Sequence, residues 1–495
     1  MPSLTKAPSV ACSMINKVIE LRHPGEGWGS AVRWINRDER HDRESLMRAD
    51  TISAVAAQYE ALPYPPREPA DEDSRLIGTW LDDLDLLNHH CYRGERAFDA
   101  GFRVLIAGGG TGDGTVFIAQ QLRERGVTGA RVVHLDLSAT AIGIAKARAQ
   151  RRGLKGIEFI QGNLLDLPKM NFGEFDYINC VGVLHHLPDP EAGLAALLPL
   201  LARNGAMAVL LYGKIGRIGI YHAQEILRRL PVAATYSERI DQAKRLLGKL
   251  PRTNWLARSA ELHPDLHQGG DAALYDLLLH SQDRAYDVEE IYRWFADDHG
   301  LHIYFSDVHR GRLPYSPSTW LHDLPERAAI SAQSQREQES LAELIGGDLV
   351  LHAFFATRDG DTTAPYAELG CVPFFLRETY PASGHGLASV IDEHHGKPFL
   401  LTHSHSGLRR EMHPTPAVRQ IFLGIDGHRS WRQIFDGVRQ QRDLGMTPRA
   451  ADEPDDIDRH LFAAFYPWYE ALNSIERLLL RRWRSDGQLH AATAQ

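Results

Sequence analysis

Residues 104–114 read VLIAGGGTGDG, an apolar run broken abruptly by glycine. Such a run is a buried parallel strand entering a tight loop at its carboxyl end. A nucleoside-triphosphate loop requires GxxxxGK followed by Ser or Thr. Gly109 and Gly114 have that spacing, but Thr115 stands where the lysine belongs. The triphosphate would lose its main counter-charge, so this reading fails. The dinucleotide pattern GxGxxG fails as well, because Asp113 or Thr115 occupies the place of its last glycine. What remains is GxGxG, carried by Gly108, Gly110 and Gly112. It admits a ligand close to the backbone without demanding a pyrophosphate. A plain strand–helix turn that needs glycine for its dihedrals stays open beside it.

The downstream residues narrow the choice. ARVVHLDLSATAIGIAKARAQ reads as a second strand, Arg131 to Leu135, ending in Asp136, then a helix capped by Ser138. An acid there is placed to accept hydrogen bonds from ribose hydroxyls. IEFIQGNLLDLP reads as a third strand ending in Asn163, whose carboxamide could meet an adenine edge. FDYINCVGVLHHLPDP is a fourth strand entering a loop. A helix with Leu194, Leu197, Leu198 and Leu201 on one face follows, stopped by Asn204 and Gly205 before a fifth strand. Glycines, an acid and an amide thus converge on one edge of a parallel sheet, where open α/β folds bind ligands.

The 495 residues divide unevenly: an arm at 1–47, an α/β alternation over 48–358, and a region at 359–495 that loses the alternation. A net charge of -9 argues against a nucleic-acid binder. Cys12, Cys91, Cys180 and Cys371 are far apart and form no CxxC pair, which fits a reducing cytoplasm. No apolar span approaches the roughly 18 residues of a membrane helix, and the first twenty residues hold no signal core, so no membrane insertion is expected.

The series VLIAGGGTG, HLDLS, GNLLDLP and CVGVLHHLPDP resembles the class I S-adenosylmethionine-dependent methyltransferases over residues 100–358. LHIYFSDV and DLVLHAFFATR would be the last two strands. The resemblance implies that Gly108, Gly110 and Gly112 face the methionine part of S-adenosyl-L-methionine, Asp136 and Leu137 the ribose, and Asn163 and Leu164 the adenine. The family often has an acid where this chain has Ile106, and an aspartate at Asn163. The methionine amine would then fall to something else, such as backbone carbonyls near Cys180. AQYEALPYPPREPADE and LLLHSQDRAYDV are further similar to the rickettsial outer-membrane-protein lysine methyltransferases.

Methyl transfer is an in-line displacement, so positioning in a dry pocket does much of the work. A lysine acceptor, with a reference pKa near ~10.4, must first lose a proton. Tyr59 and Tyr64 lie in a proline-stiffened segment that is either a lid over the cofactor or simple edge packing. His185 and His186 follow the fourth strand, each a substrate contact or a structural histidine. An insertion at about 215–290 supplies His280, Arg284 and Tyr286 and is expected to select the acceptor. His394, His395, His403 and His405 lack cysteine partners and zinc-site spacing, and no metal is expected.

HPTPAVRQIFLGIDGHRSWRQIFDGVRQQ reads as helix, turn, helix, with Thr415 and Pro416 starting one helix and Ser430 capping the next. The acidic chain disfavours a DNA role for Arg429, Arg432 and Arg439. Leu461, Phe465, Trp468, Leu472, Ile475 and Leu479 form a stripe on a last helix, bent or interrupted at Pro467; it is core or a homodimer contact. The expectation is α/β: a Rossmann-like seven-stranded methyltransferase sheet with a helical insertion and a mainly helical, winged-helix-like C-terminal domain. The 359–495 region should be removable without unfolding the rest. The activity expected is methyl transfer to a protein or peptide amine. A small-molecule O- or N-methyltransferase and a non-catalytic cofactor-sensing adaptor remain alternatives.

Overall fold

The computed structural model describes residues 52–231, 235–321, 324–376, 383–404, 406–441 and 454–482. The arm at 1–47, with Cys12, lies outside them, as does His405. Strands β1 (Arg103–Ala107), β2 (Arg131–Asp136), β3 (Ile157–Gln161), β4 (Phe175–Val181), β5 (Leu201–Gly213), β6 (Ala285–Tyr286), β7 (His302–Phe305) and β8 (Leu351–Thr357) form one sheet. Its order is β3-β2-β1-β4-β5-β8-β7, with the two-residue β6 paired to β5 as an eighth strand beyond the seven expected. The strands β1 to β5 pair in parallel; β8 runs antiparallel to β5 and β7.

Period-two alternation assigns the strand residues to two layers. Leu105, Ala107, Val133, Leu135, Ile178 and Val209 face the core covered by helix Pro190–Leu197. Val104, Ile106, Val132, Tyr177 and Ala208 face the other, covered by helices Leu84–Cys91 and Asp113–Glu124. The strand order reverses between β1 and β4, which opens a crevice beyond their carboxyl ends. β5 starts at Leu201, so Leu201 is a strand residue and Asn204 lies within the strand rather than at a helix end.

The insertion folds as a separate apolar cluster, in which helices Ile218–Arg229, Tyr236–Leu247 and Gly270–Leu278 pack together with Leu62 against it. After β8 come β9 (Cys371–Phe375), a hairpin of β10 (Phe399–His403) and β11 (Leu408–Met412), helices Pro416–Gly424 and Trp431–Arg439, helix Pro454–Ser474 and β12 (Leu478–Arg482). Thr415 and Ser430 cap the first two of these helices as their side chains predict. Arg429 is paired with Asp426, and Arg439 with Asp436 and Asp458. The last helix runs through Pro467 without a break. It ends at Ser474, and Leu479 belongs to β12, not to a helical stripe. All six stripe residues are buried in the chain's own core, which removes them as a dimer surface.

β12 pairs antiparallel with β9 and reaches back to the sheet. The Leu480 N–H donates to His89 Nδ1 at 3.0 Å, and the Arg482 N–H to the Gly94 carbonyl at 2.8 Å. Phe374, Leu376 and Leu479 enter the same core layer as Val104 and Ile106. Beside them Glu476 is fully buried, 3.6 Å from His90 Nε2. Burial pushes the Glu476 carboxyl up to about 8 and holds His90 well below its usual range. The folded chain therefore keeps a proton on Glu476 that the unfolded chain releases near pH 4.5. The stability that Glu476 contributes should fall as pH rises from there through about 8, against the opposite contribution of the neutral His90 below its ordinary range. Glu476→Gln should remove that contribution, so that the variant's stability relative to the parent rises by about 4 kcal/mol between pH 5 and pH 9. Denaturant unfolding at the two pH values checks this; equal slopes would show that the carboxyl stays ionised in the fold.

Candidate active site

A cavity of about 600 Å³ fills the crevice, floored by the strand ends and walled by the segment before the sheet and by the insertion. The loop between β1 and helix Asp113–Glu124 forms its floor through Gly108, Gly109 and Gly110. Gly110 sits at φ +51°, where an added Cβ would stand 2.6 Å from the Tyr64 carbonyl. Glycine is thus set by conformation and by contact together. At Gly109 no unusual φ is involved; a Cβ would strike the His134 ring at 2.3 Å. Gly112, expected against the cofactor, instead caps the helix and packs on Ala145, away from the cavity.

Asp136 stands at the end of β2, on the cavity wall. Its Oδ2 accepts the Gly110 N–H at 2.7 Å and its Oδ1 the Ser138 N–H at 2.9 Å. Burial raises its pKa against the pull of those bonds. Leu137, Asn163 and Leu164 also line the cavity. Asn163 lies two residues beyond β3, and its side-chain oxygen caps the following turn by accepting the Leu165 N–H. Its amide nitrogen, rather than that oxygen, is the group left to present. Cys180 is a β4 residue turned into the core, its thiol pushed up to about 12 by burial, while its neighbours Asn179, Val181 and Gly182 reach the cavity.

The segment before the sheet is tied down over the loop. Glu60 accepts hydrogen bonds from the Ser138 and Thr140 hydroxyls, Thr111 donates to the Pro65 carbonyl at 2.7 Å, and Arg67 grips Asp113 through Nε and Nη2. Tyr59 and Tyr64 both face the cavity, as a covering segment requires. The Tyr59 hydroxyl donates to Asp276 at 2.9 Å and lies 3.3 Å from His280 Nε2. The Tyr212 hydroxyl donates to the other Asp276 oxygen at 2.8 Å. Burial first, then Asp276, lifts the Tyr59 pKa well above the phenol range. Tyr59 is therefore a neutral donor and not a base.

The histidine pair separates. The short turn Leu184–His186 sends His185 into the core, its ring tilted against Tyr212 with centroids 3.9 Å apart, so the expectation that it reaches substrate is corrected. His186 lines the cavity. Its Nδ1 faces the Gln282 carbonyl at 3.0 Å and so donates to it, which in the neutral ring leaves Nε2 with a lone pair. His280 stacks on His186 at 3.9 Å behind the wall. His186, Asp276 and His280 present ligand atoms within 4.8 Å of one another, a spacing that could hold a metal ion. The tautomers oppose it. The Gln282 N–H donates to His280 Nδ1 at 3.0 Å, so the neutral ring carries its proton on Nε2, the atom that would have to ligate. Arg284 is exposed and its guanidinium lies over the Tyr286 ring. His394 stacks on Phe399 and His403 bonds Ser406, both far along the chain in the last region.

Among the cavity residues not singled out from sequence are Asp82, Asn179, Tyr212, Arg217 and Asp276. Asp82 is buried, lines the cavity as Ile106 does, and accepts hydrogen bonds from Thr79, Tyr177 and Asn179. It brings a carboxylate to the cavity wall that Ile106 does not supply. Burial raises its pKa. Only its place before the helix Leu84–Cys91, in WLDDLD, hinted at anything, and that pattern reads as helix capping.

Residues 105–207 match a family model described as a methyltransferase domain. An uncharacterized protein of Synechococcus sp. is 33% identical over 321 residues, covering 63% of this chain and 73% of its own. A ubiquinone biosynthesis O-methyltransferase of Escherichia coli is 26% identical over 31% of this chain, which spans 62% of that enzyme. Among solved structures, PKMT2 from Rickettsia typhi superposes with a TM-score of 0.53 at 16% identity, over 78% of this chain and 72% of that one. Its complex with AdoHcy gives 0.50 at 15% identity over the same shares. Taken with the strand order and the glycine loop, these findings place the chain among the class I S-adenosylmethionine-dependent methyltransferases.

Proposed function

We propose that the chain methylates a protein side-chain amine, a lysine, and that the cluster of Asp276, Tyr59, Tyr212 and His186 receives it. The observation that carries this reading is Asp276, a buried carboxylate held by two tyrosine hydroxyls at the cavity wall. A carboxylate in a low-dielectric pocket selects a cation over a neutral alcohol. The sequence likeness to the rickettsial lysine methyltransferases supports the same acceptor.

The cavity fits the cofactor: close-approach glycine backbone at 108–110, an acid at the end of β2, and a carboxamide at 163. Asp136 would hold the ribose, the Asn163 amide the adenine edge, and Asp82 with Asn179 the methionine ammonium. When bound, S-adenosylmethionine supplies an electrophilic methyl group on its sulfonium. Asp276 draws in the lysine ammonium, Tyr59 and Tyr212 fix that carboxylate, and the His186 Nε2 lone pair accepts the departing proton. The covering segment excludes water. The insertion and residues 359–495 would select the acceptor. No helix among the described residues is long and apolar enough to cross a membrane.

Incubation with labelled S-adenosylmethionine and a cell lysate tests the acceptor class. Label is expected in protein, released as methyllysine on hydrolysis. Label confined to small metabolites would reject the protein acceptor and favour the small-molecule reading, which the likeness to a ubiquinone biosynthesis enzyme supports. Tyr59→Phe keeps the ring and deletes one donor to Asp276. It should slow turnover by about tenfold or more while leaving S-adenosylhomocysteine affinity unchanged by calorimetry. Wild-type turnover in that variant would reduce Tyr59 to packing.

A further inference from the structure

Residues 244–258 carry five lysines and arginines and no acid, in a chain whose net charge is -9. The run leaves helix Tyr236–Leu247, turns where the Asn254 N–H donates to the Pro251 carbonyl at 2.8 Å, and ends in a short helix, Trp255–Arg258. Lys244 is paired with Asp271, whereas Arg245, Lys249, Arg252 and Arg258 are exposed and make no ion pair among the described residues. Trp255 lies between the last two in sequence and is 53% exposed, with the Arg258 guanidinium 5.4 Å from its ring centroid. A face that only has to stay solvated gains nothing from an indole. Tryptophan among arginines is instead the composition of a binding hot spot.

The patch adjoins the cavity. An added Cβ at Gly219 would stand 2.6 Å from the Leu256 Cα, so helices Ile218–Arg229 and Trp255–Arg258 touch next to Trp255 and the 41% exposed Ile218. The chain leaving Arg258 reaches the cavity wall at Leu262, Pro264 and Asp265. Its charge reverses on the way, since Glu261 and Asp265 are exposed acids. Cations thus lie outside and acids at the mouth, with Asp276 on the cavity wall beyond them. A lysine complements the acids at the mouth, and carboxylates beside that lysine complement the cations outside.

We propose that the surface 245–258, centred on Trp255, docks an acidic, partly apolar segment of the acceptor polypeptide, next to the lysine that enters the cavity. This rests on the protein-amine reading, but its test separates the two. A polypeptide suits the patch better than a nucleic acid or an anionic membrane. A short segment meets only the local charge, within a Debye length of about 10 Å, whereas an extended polyanion also meets the negative remainder of the chain.

The probes are synthetic peptides with one lysine, one leucine and four glutamates, the glutamates before the lysine in one and after it in the other, and their glutamine counterparts. Each is titrated by fluorescence anisotropy into the full chain saturated with S-adenosylhomocysteine. One glutamate peptide should bind about tenfold or more tighter than its glutamine counterpart. Raising NaCl from about 50 to about 300 mM should shrink that preference. Trp255→Ala, and separately Arg252→Glu with Arg258→Glu, should each weaken binding of that peptide by about tenfold. Arg203→Glu, the same reversal at the amino end of β5 and so away from the cavity, should leave it unchanged. S-adenosylhomocysteine affinity should stay within about twofold in every variant. Methylation of the peptide lysine is read separately with labelled S-adenosylmethionine. Docking that obeys these variants without methylation sinks the lysine reading and leaves the surface standing. Methylation that is equal for glutamate and glutamine peptides, and unchanged in the variants, overturns the surface and leaves the lysine reading standing. Tighter binding of a thymidine oligonucleotide or of phosphatidylglycerol vesicles than of the glutamate peptide, lost in the same variants, overturns the polypeptide partner.

Discussion

Asp136→Ala is expected to lower the affinity for S-adenosylmethionine at least tenfold while the chain stays folded. Two charge-assisted hydrogen bonds to the ribose would go, each worth roughly 1.5–3 kcal/mol. The structure adds a second loss. Asp136 also accepts the Gly110 and Ser138 N–H groups, so alanine frees the loop that forms the cavity floor. Because burial raises the Asp136 pKa, affinity in the parent should begin to fall on acidification sooner than an exposed aspartate would allow. Calorimetry across pH 4 to 7 reads both effects. An unchanged affinity in a folded variant would remove Asp136 from the ribose.

Truncation after Arg358 should unfold the chain or leave it insoluble, contrary to the removable region that the strand pattern suggests. The cut deletes Phe374, Leu376 and Leu479 from the core layer that also holds Val104 and Ile106. Each fully buried side chain of this size is worth roughly 1.5–3 kcal/mol. Three of them amount to a large share of the 5–15 kcal/mol by which domains are typically stable. His89 is stranded as well, since its ring nitrogens face Leu480 and Asn473. Circular dichroism and size-exclusion chromatography of residues 1–358 check this. A soluble, cofactor-binding fragment would show that the shared layer closes without the last region.

The sheet was legible because its signals are local. Each strand of the β1–β5 series carries its apolar run and its terminating turn within a dozen residues, and Asp136 is fixed by being the last residue of one. The acceptor end was not legible, because Tyr59 and Asp276 meet across 217 positions of sequence. His185 and His186 are chemically equal in the sequence; a single short turn decides that one faces the core and the other the cavity. Leu479 was misplaced for a different reason. Its spacing continues the helical stripe, but the chain turns at Glu476, with φ +54°, and the run Leu478–Leu480 is as apolar as a buried strand. Arg217 gave no signal, since a lone arginine before a helix looks like a solvated residue until its burial is seen.

The loop's glycines are not all required on the same terms. At 110 the obstacle is main chain: the backbone angle is one that L residues adopt only rarely, and a Cβ would stand 2.6 Å from the Tyr64 carbonyl oxygen, which no side-chain change at 64 removes. At 109 it is lent by a neighbour: the obstacle to a methyl group is the His134 imidazole, which Thr115 holds in place through Nδ1 at 2.7 Å. Alanine at 109 is therefore inadmissible while 134 is histidine and admissible once 134 is small. The two positions form a heritable pair, in which the order of substitution matters. A shortened residue 134 removes the obstacle to a methyl group at 109, and a methyl group at 109 takes the space that the imidazole occupies.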